Sequence, residues 1–407
     1  MEDNLKNKGS KIPEQKNEIN IKKDVSIMKD QANTNLSDKI FYGDNKEILA
    51  VGVHDYNDYV KLKSKGLQKM ENFDEQYKDF VDYIIAITHN IWEDKGIGVI
   101  YDTYSNNVIV HNASVTSYGI RDVIGGTLQT LHSFPDRRLI AQDVVWTNYG
   151  ERGYLSSHKI QSVATNLGDS SFGPATGKKV NFRTVVDCAA QDNRIYEEWL
   201  VRDNLWIIKQ LGFDPHEVAK RIAKATKNQT PALQSRFGMS ENMEGQYFPE
   251  KYVAKDNSVG EMMLEMFSQV WSYKLINNVK KYYADNAALN FICNKRLIGH
   301  DEIQGMLVSL FASFPNAAVV LDRISCNKVE STENEYNVAV RWRIKGMHEG
   351  LGYFGAASGK PVEVVGINHY NVVNNKIVQE WMTFDGLDVL RQIYTETDDQ
   401  FIKECGE

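Results

Sequence analysis

Residues 177–210 read GKKVNFRTVVDCAAQDNRIYEEWLVRDNLWIIKQ, and residues 359–392 read GKPVEVVGINHYNVVNNKIVQEWMTFDGLDVLRQ. Gly177 and Gly359, Trp199 and Trp381, Asp203 and Asp385, and Gln210 and Gln392 each stand 182 positions apart. A spacing that holds without a gap across a whole unit means that the chain carries the unit twice. Each copy reads as a strand hairpin running into a helix. In the second, Val362, Val364, Val365 and Ile367 form an apolar run, Asn374 and Asn375 mark a turn, and a strand from Ile377 leads to Asp385.

Strand side chains alternate, so Trp381, Thr383 and Asp385 share one face, as do Trp199, Val201 and Asp203. A carboxylate thus accompanies a Trp on the same face twice. Either Asp can also be the N-cap of the helix after it, since Asp is a favoured cap, and capping does not exclude catalysis.

The duplication extends outward. An amphipathic helix is expected from Phe73 to Trp92, with apolar residues three and four apart, and its counterpart runs from Val259 through Trp271 to Leu275. Its aromatic and Met stripe reads as core. A second helix follows in each copy, from Gly119 to Ser133 and from Gly299 to Ser313, ended by Pro135 and Pro315. Next comes a strand in which Val338, Val340, Trp342 and Ile344 oppose Ala339, Arg341, Arg343 and Lys345. It leads to His348, and the first copy offers His158 in this place. Gly177 follows His158 by 19 positions but Gly359 follows His348 by 11, so a longer loop, a candidate lid, is expected in the first copy.

The organisation expected over the 407 residues is a disordered tail at 1–35, poor in apolar groups, and a first domain with an N-terminal extension at 36–226. A linker at 227–257 and a second domain at 258–400 complete it. Hydrophobic residues make up 42% and charged ones 25%, as in ordinary globular chains, and the net charge of −7 argues against a nucleic-acid partner. No apolar run is long enough for a membrane span. Cys188, Cys293, Cys326 and Cys405 are scattered, which points to a reduced, cytoplasmic protein without a zinc motif. The literal GxGxxG at Gly350–Gly355 precedes a strand and opens no helix, so no nucleotide site is expected, and no metal or cofactor.

Three segments together resemble SnoaL-like polyketide cyclases, also known as ester cyclases, of the nuclear transport factor 2-like or ketosteroid isomerase-like superfamily. They are Arg341–Gly350, Gly355–Val362 and Lys376–Asp385, and the first half resembles the family through Phe172–Lys178 and Glu197–Asp203. The resemblance implies an α+β protein of two tandem cones, each a curved, mostly antiparallel sheet wrapped around helices. Relatives with a single cone often dimerise, so the repeats are expected to pair within one chain, with further homo-oligomerisation left open. In such cyclases an Asp after the Trp strand is the general acid/base of a cofactor-free ring closure, and a His helps orient the substrate. Those roles would fall on Asp203 and Asp385 and on His158 and His348. Trp199, Trp381, Asp187 and His369 would line the substrate sites. Each His can equally be a loop residue bonded to backbone carbonyls.

The function expected is acid/base chemistry, as a cyclase, isomerase, dehydratase or hydrolase, on a small apolar carbonyl or ester compound. The alternative is a non-catalytic binding or interaction module of the same fold. An open cone with converging acid and His favours the enzyme, and a filled cone favours the module.

Overall fold

The structure is a computed structural model and describes residues 70–226, 257–329 and 332–395. The expected tail, and the linker save Asn257, lie outside the described residues. The first repeat runs α1 (Phe80–Trp92), α2 (Val99–Thr103), β1 (Tyr104–Asn112), β2 (Thr116–Tyr118), α3 (Ile120–Ser133), β3 (Arg138–Asn148), β4 (Tyr154–Thr165), β5 (Lys179–Gln191), β6 (Arg194–Arg202), α4 (Asn204–Leu211) and α5 (Pro215–Thr226). The second runs α6 (Asn257–Met266), α7 (Val279–Tyr282), β7 (Tyr283–Asn290), β8 (Arg296–Ile298), α8 (Gly299–Ser313), β9 (Ala318–Lys328), β10 (Glu335–Met347), β11 (Pro361–Val373), β12 (Lys376–Phe384) and α9 (Gly386–Tyr394).

Both sheets have six strands in the same order, β2-β1-β6-β5-β4-β3 and β8-β7-β12-β11-β10-β9. Each is antiparallel apart from one parallel pair, β1 with β6 and β7 with β12. The duplication holds to the residue, because Asp187 opposes Trp199 as His369 opposes Trp381. The turns match too: Asp192 and Asn193, and Asn374 and Asn375, all take positive φ, as a two-residue hairpin loop demands. Bulges interrupt several pairings and bend the strands around the helices.

Helix α1 starts later than its periodicity suggests. Asp79 caps it, accepting from the Asp82 amide at 2.8 Å. Phe73 precedes the helix and still packs against Tyr83, so the apolar spacing continues through residues that are not helical. In the second repeat α6 ends at Met266, and the chain continues as a π-helical segment, Phe267–Ser272, that buries Trp271.

Register also corrects the pairing of His158 with His348. The His348 amide donates to the Lys360 carbonyl and the Asn166 amide to that of Lys178, so Asn166 is the counterpart of His348. Each of these residues precedes its glycine, Gly177 or Gly359, by 11 positions, and each loop carries the same bridge, Ser170 with Gly173 or Gly352 with Gly355. The loops are equal, and the first repeat has no extra lid. His158 sits mid-strand in β4, where the second repeat has Val340.

The repeats contact each other through the face that carries the Trp residues. The Arg341 guanidinium lies 3.7 Å from the Trp199 ring centre, and the Lys159 ammonium 3.1 Å from that of Trp381. Val185 and Val201 pack on Ile367. Asp187 accepts from Arg341 at 2.9 Å and lies 3.4 Å from Arg323. His369 meets Asp143 at 3.0 Å and Ser157 at 3.0 Å. These charges are paired where they are buried, as buried charges must be. Both faces of β6 and β12 are therefore covered, one by its own helices and one by the other repeat.

Candidate active site

Because the Trp face is turned to the other repeat, the opposite face of the central strands looks into the cone. In the first repeat the inward residues form rows across β4, β5 and β6: Ser156, Cys188 and Glu198; then His158, Val186 and Leu200; then Ile160, Thr184 and Arg202. Together with α1 and α3 they enclose a cavity of about 360 Å³. That is within the size range of ordinary ligand pockets. Ile84, Ile87, Ile91 and Trp92 give it an apolar wall, and the sheet gives it a polar one.

The polar wall holds the chemistry. Glu198 is 7% exposed, and burial pushes its carboxyl up to about 7 against the opposing pull of Tyr104 and Arg202. The Tyr104 hydroxyl donates to Glu198 Oε2 at 3.0 Å and fixes its rotamer. His158 is 2% exposed, and burial and nearby His369 lower it to about 3, so it is neutral at pH 7. At the far end Arg137 donates to the Ser162 hydroxyl through Nε at 3.2 Å and Nη2 at 3.1 Å. Asp385 enters from the second repeat. It accepts from Asn204 Nδ2 at 2.6 Å, and burial, then Asp388, raise it to about 7.

Five atoms of cavity-lining residues are buried without a hydrogen-bond partner: Arg137 Nη1, His158 Nε2, Thr184 Oγ1, Arg202 Nε and Asn204 Oδ1. An unpaired buried polar atom costs about 1–3 kcal/mol. All five belong to residues that line this one cavity.

The candidate residues thus divide. His158 and Asp385 line the cavity, whereas Asp203 and His348 do not. Asp203 caps α4, accepting from Trp206 at 3.1 Å and from the Cys293 amide of the other repeat at 2.6 Å. His348 faces Ser358, 3.0 Å away, and holds its loop. Trp199, Trp381, Asp187 and His369 belong to the contact between repeats, because their strand face points away from the cone interior. Glu198 escaped the sequence reading, although Glu198 and Glu380 also stand 182 apart.

The second cone keeps the acid and closes around it. Glu380 is fully buried, accepts from Tyr283 at 2.6 Å and Asn368 at 2.7 Å, and is raised by burial to about 7. Trp342 takes the place of Ile160, donates to Asn368 at 2.8 Å and packs on Trp271, 4.9 Å between ring centres. Gly366, the counterpart of Thr184, makes room for that indole: a Cβ there would lie 2.1 Å from Trp342. Gly366→Ala is therefore expected to cost about 1–3 kcal/mol in urea unfolding. Unchanged stability would mean that the indole does not fill this cone.

Glu380 also predicts a pH effect. A carboxyl raised from 4.5 to about 7 on folding stabilises the fold below pH 4.5, and this contribution is lost as pH climbs through 7. Glu380→Gln should remove that loss, up to roughly 3 kcal/mol between those limits. A variant whose stability falls over this range as steeply as the parent's would contradict it.

Among the described residues no cluster of His, Cys, Asp and Glu is placed to hold a metal ion, and no helix is long and apolar enough to cross a membrane. Residues 261–393 match the family of SnoaL-like polyketide cyclases. No curated protein matches the chain. Among solved structures, a candidate SnoaL-like polyketide cyclase from Jannaschia sp. is 20% identical, covers 38% of this chain and 100% of its own, with a TM-score of 0.31. A candidate polyketide cyclase from Acidithiobacillus ferrooxidans is 18% identical, covering 35% and 99%, at 0.30. IdmH, a candidate polyketide cyclase from Streptomyces antibioticus, is 20% identical, covering 32% and 97%, at 0.29. Each of them has the length of one repeat, and the second repeat is a SnoaL-like domain.

Proposed function

We propose, from the SnoaL-like family of residues 261–393 and the open cone of the first repeat, that this protein is a cofactor-independent acid/base enzyme of the cyclase or isomerase type. Its substrate is a small, largely apolar carbonyl compound, and the first cone is where it reacts. The observation that carries this reading is the group of five unpartnered polar atoms around one cavity that also holds a carboxyl raised to about 7. A carboxyl with that value is near the optimum for taking and returning a proton at neutral pH.

In this reading Glu198 removes the proton next to the substrate carbonyl. The C–H electron pair becomes an enolate, whose oxygen accepts a hydrogen bond from neutral His158. The enolate carbon then attacks a second carbonyl of the same molecule, closing a ring, and the alkoxide so formed takes the proton back from Glu198; where the enolate is conjugated with a C=C bond, the proton returns instead to the far carbon and the double bond shifts. Tyr104 holds the carboxylate, and Asp385 with Asn204 closes the far end. The second repeat, with its interior filled, acts as the platform that supplies Asp385. The thiols of Cys188 and Cys293 suit the reducing cytoplasm expected for the chain.

The test is the pH profile of turnover. The base form of Glu198 grows as pH rises through about 7, so kcat/KM should climb there and level off. A profile flat from pH 5 to 9 overturns the assignment.

A further inference from the structure

The proton-transfer roles fall to Glu198, Tyr104 and His158 and leave the end of the first cavity beyond Ile160 without one. There the inward face presents Thr184 and Arg202 in one row, and Arg137 stands beside them on Ser162. Both guanidinium groups lie over the Phe182 ring, at 5.3 Å for Arg137 and 5.8 Å for Arg202. Arg137 is 4% exposed, Thr184 is 1% exposed, and each has a buried polar atom with no partner. The two cations repel each other, and Asp385 and Glu198 act on Arg202 only from beyond ion-pair distance. A guanidinium fork and a hydroxyl match one carboxylate, which takes paired N–H bonds and one O–H bond.

We propose that the substrate carries a carboxylate and that Arg137, Arg202 and Thr184 bind it. The inference rests on the first cone being the reactive site. The acid lies two rows along the same face: the backbone positions of Glu198 and Arg202 are four residues apart on β6, about 13 Å along an extended strand. A substrate held by its carboxylate at the Arg end thus places its body beside His158 and its far carbon near Glu198. The class is a ring-sized, apolar oxo-acid, anchored at one end and enolised at the other. Burial and the neighbouring Arg202 disfavour the charge of Arg137, so an incoming anion relieves an existing cost. A neutral ester or amide leaves that cost in place.

The test uses 2-naphthoate and its methyl ester with the full-length protein, by isothermal titration. The acid is expected to bind at least about tenfold tighter than the ester, the range of one charge-assisted hydrogen bond. In Arg137→Gln the preference should shrink, and in Arg137→Lys, which keeps the charge without the fork, it should survive in part. The wild-type comparison needs no variant, so a misfolded Arg137→Gln leaves the test intact. Equal binding of acid and ester, or no binding of either at millimolar concentration, overturns the proposal. Its failure is separable from that of the catalytic reading. An acid preference with turnover indifferent to Glu198 sinks only the latter. Equal affinities with turnover that depends on Glu198 sink only this inference.

Discussion

Glu198→Gln will lower kcat by about 10²- to 10⁴-fold, the usual cost of losing a general base, while Glu380→Gln will leave kcat nearly unchanged. The two residues are equivalent by repeat, buried, and raised to about 7. They differ in what surrounds them. Glu198 lines a cavity and keeps one tyrosine donor, whereas Glu380 is enclosed by Tyr283, Asn368 and the indole of Trp342. Gln preserves the volume and can still accept from Tyr104, so the melting temperature and the affinity for substrate should hardly move. Equal losses in the two variants would mean two working cones. Indifference in both would leave a binding module.

The second large effect comes from moving the obstruction of one cone into the other. Trp342 and Gly366 occupy the positions of Ile160 and Thr184, each 182 residues later. The double variant Ile160→Trp, Thr184→Gly therefore installs in the first repeat the pair that fills the second. Thr184→Gly is required because the indole lies where a Cβ would be, 2.1 Å from it at Gly366. Ligand binding and turnover should both fall below detection, with a melting temperature at or above the parent's, since apolar volume replaces a cavity and removes an unpaired hydroxyl. Retained binding in a folded double variant would place the site elsewhere. The single variant Ile160→Trp should instead destabilise, because Thr184 remains in the way.

The duplication, the order of elements and the hairpin turns were legible because each rests on local chemistry. Paired Asn residues at 374 and 375 turn a hairpin, and Pro135 and Pro315 end helices wherever they occur. The facing of the strands was not legible. Along β6 and β12 the residues of both parities are covered, by helices on one side and by the other repeat on the other, so alternation no longer distinguishes cone from outside. With the Trp face taken as the inside, the candidates on β5, β6, β11 and β12 fall one position off, on Trp199 rather than Glu198. The pairing of His158 with His348 failed for a related reason. A His recurring near a loop suggested an equivalence, yet backbone register pairs His348 with Asn166. Only His158 and Asp385 of the eight candidates reached the cavity. Asp385 did so from the far repeat, which no local pattern reveals.

The first cone is expected to take the ligand and the second is not. Its most direct test is a crystal structure with a bound aromatic carboxylate or carbonyl compound that raises the melting temperature. One molecule per chain is expected, with an oxygen on Arg137 or Thr184 and the ring between His158 and the α1 wall. A molecule seated beside Glu380, or against Trp199 or Trp381 at the contact between repeats, would contradict it.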